Sequence, residues 1–405
     1  MSSNFNIVKK PKKEDIVEEE VEEIELDEDK PQNTNSDLAK KRMFKMMGII
    51  VGGMIVLLVI LYICSLFMNK TYSYTDLEGI LKDAAIAYFK DNPESLPTEE
   101  GNIVEIDSSN LIVAEKMKDL SEYTKEGVSC SGTVQVEKSG NDYLYTPYLN
   151  CGENYVTEEL YKKVTKEGNV VTAGYGLYAN NGAYVFRGES VDNYVKLGKG
   201  LWRIVKVTSN NNIVLISQDG VEYTQPWDNR YNEAKLYEAG LNTYSASRVK
   251  EYLEKIYNRP SKEDGEDILS KNDKTKLVSF NLCTGKRNAN EAGSNNVVEC
   301  GEVIQNQKLG LLTLSDYIYA SIDPNCKTAQ SKSCQNYNYL VTDYEWWLVT
   351  ADKSDNAMVF KVDENGSIKK DYCSTYSIVR PVIYLNSKVL YKSGNGTLEK
   401  PYKIK

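Results

Sequence analysis

The chain contains no histidine in 405 residues. That removes the usual general base near neutral pH and the commonest zinc ligand. Ser-His-Asp and Cys-His catalysis and HExxH metal chemistry are excluded, while carboxylate pairs, Ser-Lys dyads and oxygen-ligand Ca²⁺ sites stay open. No CxxC occurs, which argues against a zinc ribbon or a thioredoxin-like centre. GxGxxG and P-loop patterns are also missing, so nucleotide chemistry has no foothold. Positive charge is in deficit: 49 Lys and Arg face 58 Asp and Glu, a net charge of −9. Such a balance argues against nucleic acid as a partner, because phosphate contacts need a basic face. The expectation is a protein that is not an enzyme, with no cofactor and no metal site.

What the chain does have is one long apolar run. Residues 46–68, MMGIIVGGMIVLLVILYICSLFM, are 23 uncharged positions in a row. About 20 residues at 1.5 Å each cross a bilayer as a helix. The run is too long and too far from the N-terminus for a signal peptide, and Ser65-Leu66-Phe67 is a poor cleavage site. Lys40, Lys41, Arg42 and Lys45 precede it, and only Lys70 follows closely. The positive-inside rule then puts residues 1–45 in the cytoplasm and residues 70–405 outside a single-pass cell membrane protein.

Seven of the eight cysteines lie beyond that run. Neighbour pairing would join Cys130 to Cys151, Cys283 to Cys300 and Cys326 to Cys334, and is favoured over the other connectivities. Cys373 is left as a buried inert thiol, a free thiol or an intermolecular bridge. The 30 tyrosines suit a β-rich fold with many half-exposed strands.

Residues 1–45 are poor in aromatics, and 11 of the 16 positions from Glu14 to Asp29 are acidic. The segment reads as a disordered tail. Val17, Val21, Ile24 and Leu26 could still form a helix face on meeting a basic cytoplasmic partner for residues 14–29. Residues 71–155 read as a small α+β unit. Leu77, Ile80, Leu81, Ala84, Ala85 and Tyr88 fall at helical spacing behind Thr75 as N-cap. NIVEI follows as a strand, SSNLIVAEKMKDL as a second helix capped by Ser108 or Ser109, and Cys130–Cys151 as a hairpin stapled by its own disulfide. The helix-then-stapled-sheet order resembles the globular part of type IV pilin-like proteins.

Residues 156–190 read as a Gly- and Asn-rich connector. Residues 191–405 are dense in strand signals: YVKLGKGLWRIVKVTSNNNIVLIS, then GLLTL, YEWWLVT, AMVFKV and IVRPVIYL, with a helix over TYSASRVKEYLEKIYN. Trp202 and the alternating Arg203-Ile204-Val205-Lys206-Val207 predict a half-buried strand. The ordered motifs LWRIVKV, LGLLTLSDY, WWLVT, VFKVDENGSI and VRPVIYLN, over about residues 184–390, resemble an uncharacterised extracellular bacterial domain family whose usual signature is WWLRSP followed by RPALWLN. The resemblance implies a C-type-lectin-like α+β module with antiparallel sheets, akin to the formylglycine-generating-enzyme domain, and carries no established activity. Val349-Thr350-Ala351 stands here where the family has Arg-Ser-Pro. The copper chemistry of that enzyme needs two nearby late cysteines, whereas Cys373 is alone.

Candidate ligand-binding residues come from three motifs. Trp227 and Asp228, in Gln225-Pro226-Trp227-Asp228-Asn229, put a stacking ring beside amide and carboxylate groups, or simply anchor a surface loop. Trp346 and Trp347 point to opposite faces of a strand. Either both pack structurally, or one fills the core and the other offers a platform to a ligand. Arg380, before Pro381, reads chiefly as a brace for a buried carboxylate or loop carbonyls. Asp363-Glu364-Asn365-Gly366 is a tight turn that could also ligate Ca²⁺.

These readings converge on a single-pass surface protein of a Gram-positive-type bacterium. It would present a lectin-like domain to a glycan, a cell-wall polymer or another surface protein. The alternative is a structural component of an envelope or pilus-like complex.

Overall fold

The computed structural model describes residues 34–68, 72–124, 128–221, 223–259, 268–293 and 296–405. The acidic segment 14–29, with its proposed docking face, lies outside the described residues, as does Lys70. The chain divides into two compact units, residues 1–71 and 72–405.

In the first unit, helix α1 spans Thr34–Met68. It begins well before the apolar run, so residues 34–45 are helical rather than part of an unstructured tail. From Lys40 to Ile63 the helix is long and apolar enough to cross a membrane, and every side chain there is exposed. A helix that finds no protein surface for an all-round apolar shell suits lipid.

The second unit opens with α2 (Tyr74–Asp91), β1 (Ile103–Asp107), α3 (Ser108–Val113), β2 (Ser131–Ser139) and β3 (Asp142–Asn150). Helix α2 is capped by Ser73, not Thr75. The Ser73 hydroxyl accepts the Asp76 N–H, and the Asp76 carboxylate accepts the Ser73 N–H at 2.8 Å. The reciprocal box satisfies two orphan donors, which a single Thr75 cap could not. Leu77, Leu81, Ala84, Ala85 and Phe89 are buried on one face of α2. Leu81, Ala84, Ala85 and Phe89 share a core with Val134 and Val136 of β2. Helix α3 is shorter than the periodicity predicts. Its N-cap is Asp107, and Glu115 turns to φ +55° while the Lys116 N–H reaches back to the Leu111 carbonyl at 2.9 Å. This Schellman-type close brings Met117 against the small core.

The rest of the chain builds around a larger core that runs from Leu160 to Tyr402. Its first elements are α4 (Leu160–Val164), β4 (Gly176–Asn180), β5 (Ala183–Arg187), β6 (Tyr194–Leu197), β7 (Gly200–Val207), β8 (Ile213–Ser217) and β9 (Gln225–Pro226). Then come α5 (Arg248–Asn258), α6 (Lys271–Thr275), β10 (Phe280–Cys283), β11 (Val303–Gln307) and α7 (Leu314–Ala320). The last are β12 (Trp346–Ala351), β13 (Met358–Val362), β14 (Ile368–Tyr372), β15 (Tyr376–Ser377), β16 (Val382–Leu385), β17 (Tyr391–Ser393) and β18 (Tyr402–Ile404). The main sheet has eight strands in the order β16-β8-β7-β6-β18-β17, with β5 on β7 and β4 on β5. Strands β12, β13 and β14 form a separate antiparallel sheet.

Residues 156–190 are thus not a bare connector. They supply α4, the β4–β5 hairpin, and Leu160, Val164, Leu177 and Phe186 of the main core. GLLTL is not a strand either. Gly310 makes one bridge to Val382, and Thr313 then caps α7 by accepting the Asp316 N–H at 3.0 Å. Strand β7 is buried on both faces, because Arg203 turns its guanidinium onto the Tyr194 ring at 3.9 Å and donates to Asn193 at 2.5 Å. Paired this way, a cation can sit on a face that alternation assigns to solvent. All three expected disulfides are present, Cys130–Cys151, Cys283–Cys300 and Cys326–Cys334.

Candidate functional site

A groove of about 650 Å³ lies between the β13–β14 hairpin and the loop closed by Cys326–Cys334. Phe360, Ile368, Ala289 and Ala329 make its apolar lining, and Lys332, Lys369, Lys370, Gln335, Ser331 and Ser367 its polar one.

Each wall is held from behind. The hairpin turns at Gly366, with φ +79°, where an added Cβ would stand 2.5 Å from Val341. Glycine is therefore demanded both by conformation and by space. Asp363 accepts the N–H groups of Asn365 and Ser367 at 3.0 and 2.8 Å and pairs with Lys369 at 2.7 Å. Its carboxylate is engaged by the turn itself. The buried Tyr317 hydroxyl donates to the Gly366 carbonyl at 2.6 Å. In the disulfide loop, Ser331 Oγ accepts from the N–H groups of Lys327 and Thr328, and Asn338 donates to the Cys334 carbonyl at 3.0 Å. The third wall carries Ala289 and is fixed by Arg287. That side chain donates to Glu299 at 3.0 Å, to Ser315 Oγ at 2.8 Å and to the carbonyls of Glu291 and Gly293.

Three lysines border this groove. Lys369 pairs with Asp363 and Lys370 with Asp352, while Lys332 has no ion-pair partner among the described residues. An apolar floor under a cationic rim, on walls that need not reorganise, suits an anionic ligand with some apolar surface. A second concavity of about 460 Å³ lies against β2 and β3, and its lining includes the hydroxyl-bearing Ser108, Ser131, Thr133 and Tyr148 beside Leu149 and Val156.

The residues singled out by sequence lie elsewhere, inside the main core. Trp227, Trp346 and Trp347 are each 0 % exposed, so none of the three rings offers a face to solvent. Both faces of β12 are covered, which is why neither Trp346 nor Trp347 stands free. Trp227 Nε1 donates to the Leu348 carbonyl at 3.1 Å, and Trp347 Nε1 to the Gln225 carbonyl at 2.8 Å. Asp228 is also fully buried and takes the Arg230 guanidinium on both carboxylate oxygens. Arg380 lies 4.7 Å from the Trp346 ring and donates to the carbonyls of Ser217 and Leu340, each at 3.0 Å. Burial pushes its pKa down to about 10. Cys373 is buried, and burial pushes its thiol pKa up, away from the thiolate that reactivity needs.

The structure does bring the two Trp motifs and Arg380 together, but as packing. The lysines of the groove were missed, since Lys332 and Lys369-Lys370 are far apart in sequence and no spacing rule joins them. The one local signal was a disulfide loop and a tight turn, each with lysines beside it.

No curated protein and no solved structure matches the chain. The groove residues all fall inside residues 210–387, the stretch that matches the model of a domain of unknown function, DUF6273.

Proposed function

We propose that the chain is a single-pass surface protein of a Gram-positive-type bacterium that presents a C-type-lectin-like, ligand-binding domain outside the cell. The N-terminus is cytoplasmic, and α1 is the anchor. Three disulfides among residues 130–334 support placement in an oxidising compartment. The groove beside the Cys326–Cys334 loop carries the functional reading, because it joins an apolar floor to three lysines on pre-formed walls. Its ligand is anionic, and a cell-wall polymer, an acidic glycan or an acidic surface protein meets that description.

The test uses the full-length chain in lipid nanodiscs, with cell-wall fragments, a glycan panel and polyglutamate as probes. At least one anionic probe binds, binding weakens as salt is raised, and Lys332→Glu reduces it. Absence of any binder, or binding indifferent to Lys332→Glu and Lys369→Glu together, overturns the reading.

A further inference from the structure

Strand β14 is the edge of its sheet: among the described residues it pairs with β13 and with no other strand. The register pairs Lys361 with Lys369 and Val359 with Asp371. Just beyond, the Asp363 N–H donates to the Ser367 carbonyl and the Cys373 N–H to the Ala357 carbonyl. Residues 367, 369, 371 and 373 therefore turn their backbone groups toward β13, and Ile368 and Lys370 turn theirs outward. Tyr372 closes that free edge on one side. Its N–H goes to the Asp371 carboxylate at 2.8 Å, and its carbonyl accepts from Thr375. Ile368 and Lys370 keep unpaired outward N–H and C=O groups among the described residues, and both line the groove.

We propose that the groove binds an extended acidic polypeptide segment, which adds as a strand to the free edge of β14. The inference rests on the groove's being the binding site. Ile368 and Lys370 offer donor–acceptor pairs about 6.6–6.8 Å apart, the two-residue repeat of a strand. A polysaccharide or polyphosphate has no matching alternation of donors and acceptors. By the register, Phe360, Ile368 and Lys370 share one face of the sheet and Lys369 lies on the other. Apolar residues of the incoming segment therefore lie on Phe360, Ile368 and Ala329, while acidic ones meet Lys332 and Lys370 on the groove face and Lys369 on the opposite face. The same lysines reject a second copy of β14, whose own sequence IKKDY carries two of them. An edge charged this way discourages self-pairing and favours an acidic guest.

The experiment compares three probes on the full-length chain in nanodiscs: an alternating glutamate–valine hexapeptide, its two N-methylated forms blocked on alternate residues, and inorganic polyphosphate. The plain peptide binds. Blocking the set that faces β14 weakens it roughly tenfold, the worth of one or two net backbone hydrogen bonds, and blocking the other set does not. Lys370→Pro removes an outward N–H without touching the ladder to β13, and weakens the peptide more than Lys370→Gln does. Equal binding of the two blocked peptides overturns strand addition while leaving the groove as a site. Polyphosphate binding without peptide binding overturns the polypeptide in favour of another polyanion. If none of the three binds, the acidic polypeptide is overturned, and the groove reading falls with it only if cell-wall fragments, glycans and polyglutamate also fail to bind.

Discussion

Trp227 and Trp347 exchange indole hydrogen bonds across two segments of the core. Trp227 donates to the carbonyl of Leu348, the residue after Trp347, and Trp347 donates to the carbonyl of Gln225, two residues before Trp227. The two motifs are separated by about 120 residues of chain, and each supplies the acceptor that the other's ring needs. A buried indole N–H without an acceptor is costly, so the pair ties the QPWDN segment to β12.

Trp227→Phe and Trp347→Phe should each lower unfolding free energy by about 1–3 kcal/mol, from one lost hydrogen bond and a small cavity. Binding in the groove should be unchanged by either. Chemical denaturation and probe titration on the same preparations separate the two effects. A variant that keeps its stability and loses binding would return these rings to ligand contact.

Arg287 and Glu299 are both 0 % exposed and 3.0 Å apart. Breaking a buried pair leaves an uncompensated charge, so Arg287→Met should cost about 3–5 kcal/mol. Arg287 also holds the carbonyls of Glu291 and Gly293 behind Ala289. The double variant Arg287→Met/Glu299→Leu should recover much of the stability and little of the groove affinity. Recovery of both would show that the guanidinium does not shape the groove.

Acid should weaken the fold through Asp316. Burial works to raise its pKa, but the Lys206 ammonium 2.7 Å away and hydrogen bonds from Lys206, Asn296 and Thr313 outweigh it, leaving the carboxyl below its ordinary 3.8. The folded chain keeps Asp316 ionised where the unfolded chain protonates it. Its stabilising contribution is complete above pH 3.8 and is lost as pH falls through the lower folded value. Asp316→Asn should cost about 3 kcal/mol at neutral pH by leaving Lys206 unpaired, and its stability should fall less steeply below pH 4. Parallel acid slopes for the two proteins would count against this account.

Two aspartates near the centre of α1, Ile55→Asp with Leu57→Asp, should release the chain from membranes. Each costs about 2.5–3.5 kcal/mol of insertion at a helix centre. Alkaline carbonate extraction reads the outcome: the native chain stays in the pellet and the double variant appears in the supernatant. Retention of the variant would mean that α1 is not the anchor.

Local rules made a good part of this protein legible in advance. The apolar run of residues 46–68, the stapled hairpin of Cys130–Cys151, the strand pair around Ser209–Asn212 and the start of β16 just after Pro381 each depend on neighbours within a few residues. Period, turn chemistry and the missing proline donor are enough for such features. Elements decided by partners far away were read wrongly. The β4–β5 hairpin looked like a linker until β7 gave it an edge, and Arg203 looked solvent-facing until Tyr194 and Asn193 covered it.

The sequence by itself determined a membrane-length helix ahead of a disulfide-stapled α+β region without histidine, because composition and short-range spacing carry that information. Only the tertiary structure decided where surface and core lie. Four conspicuous residues, Trp227, Trp346, Trp347 and Arg380, went inside, since large rings and a guanidinium that finds carbonyl acceptors are most stable away from water there. Three unremarkable lysines from two distant segments came to line one groove, because loop closure and strand pairing, not sequence neighbourhood, set their positions.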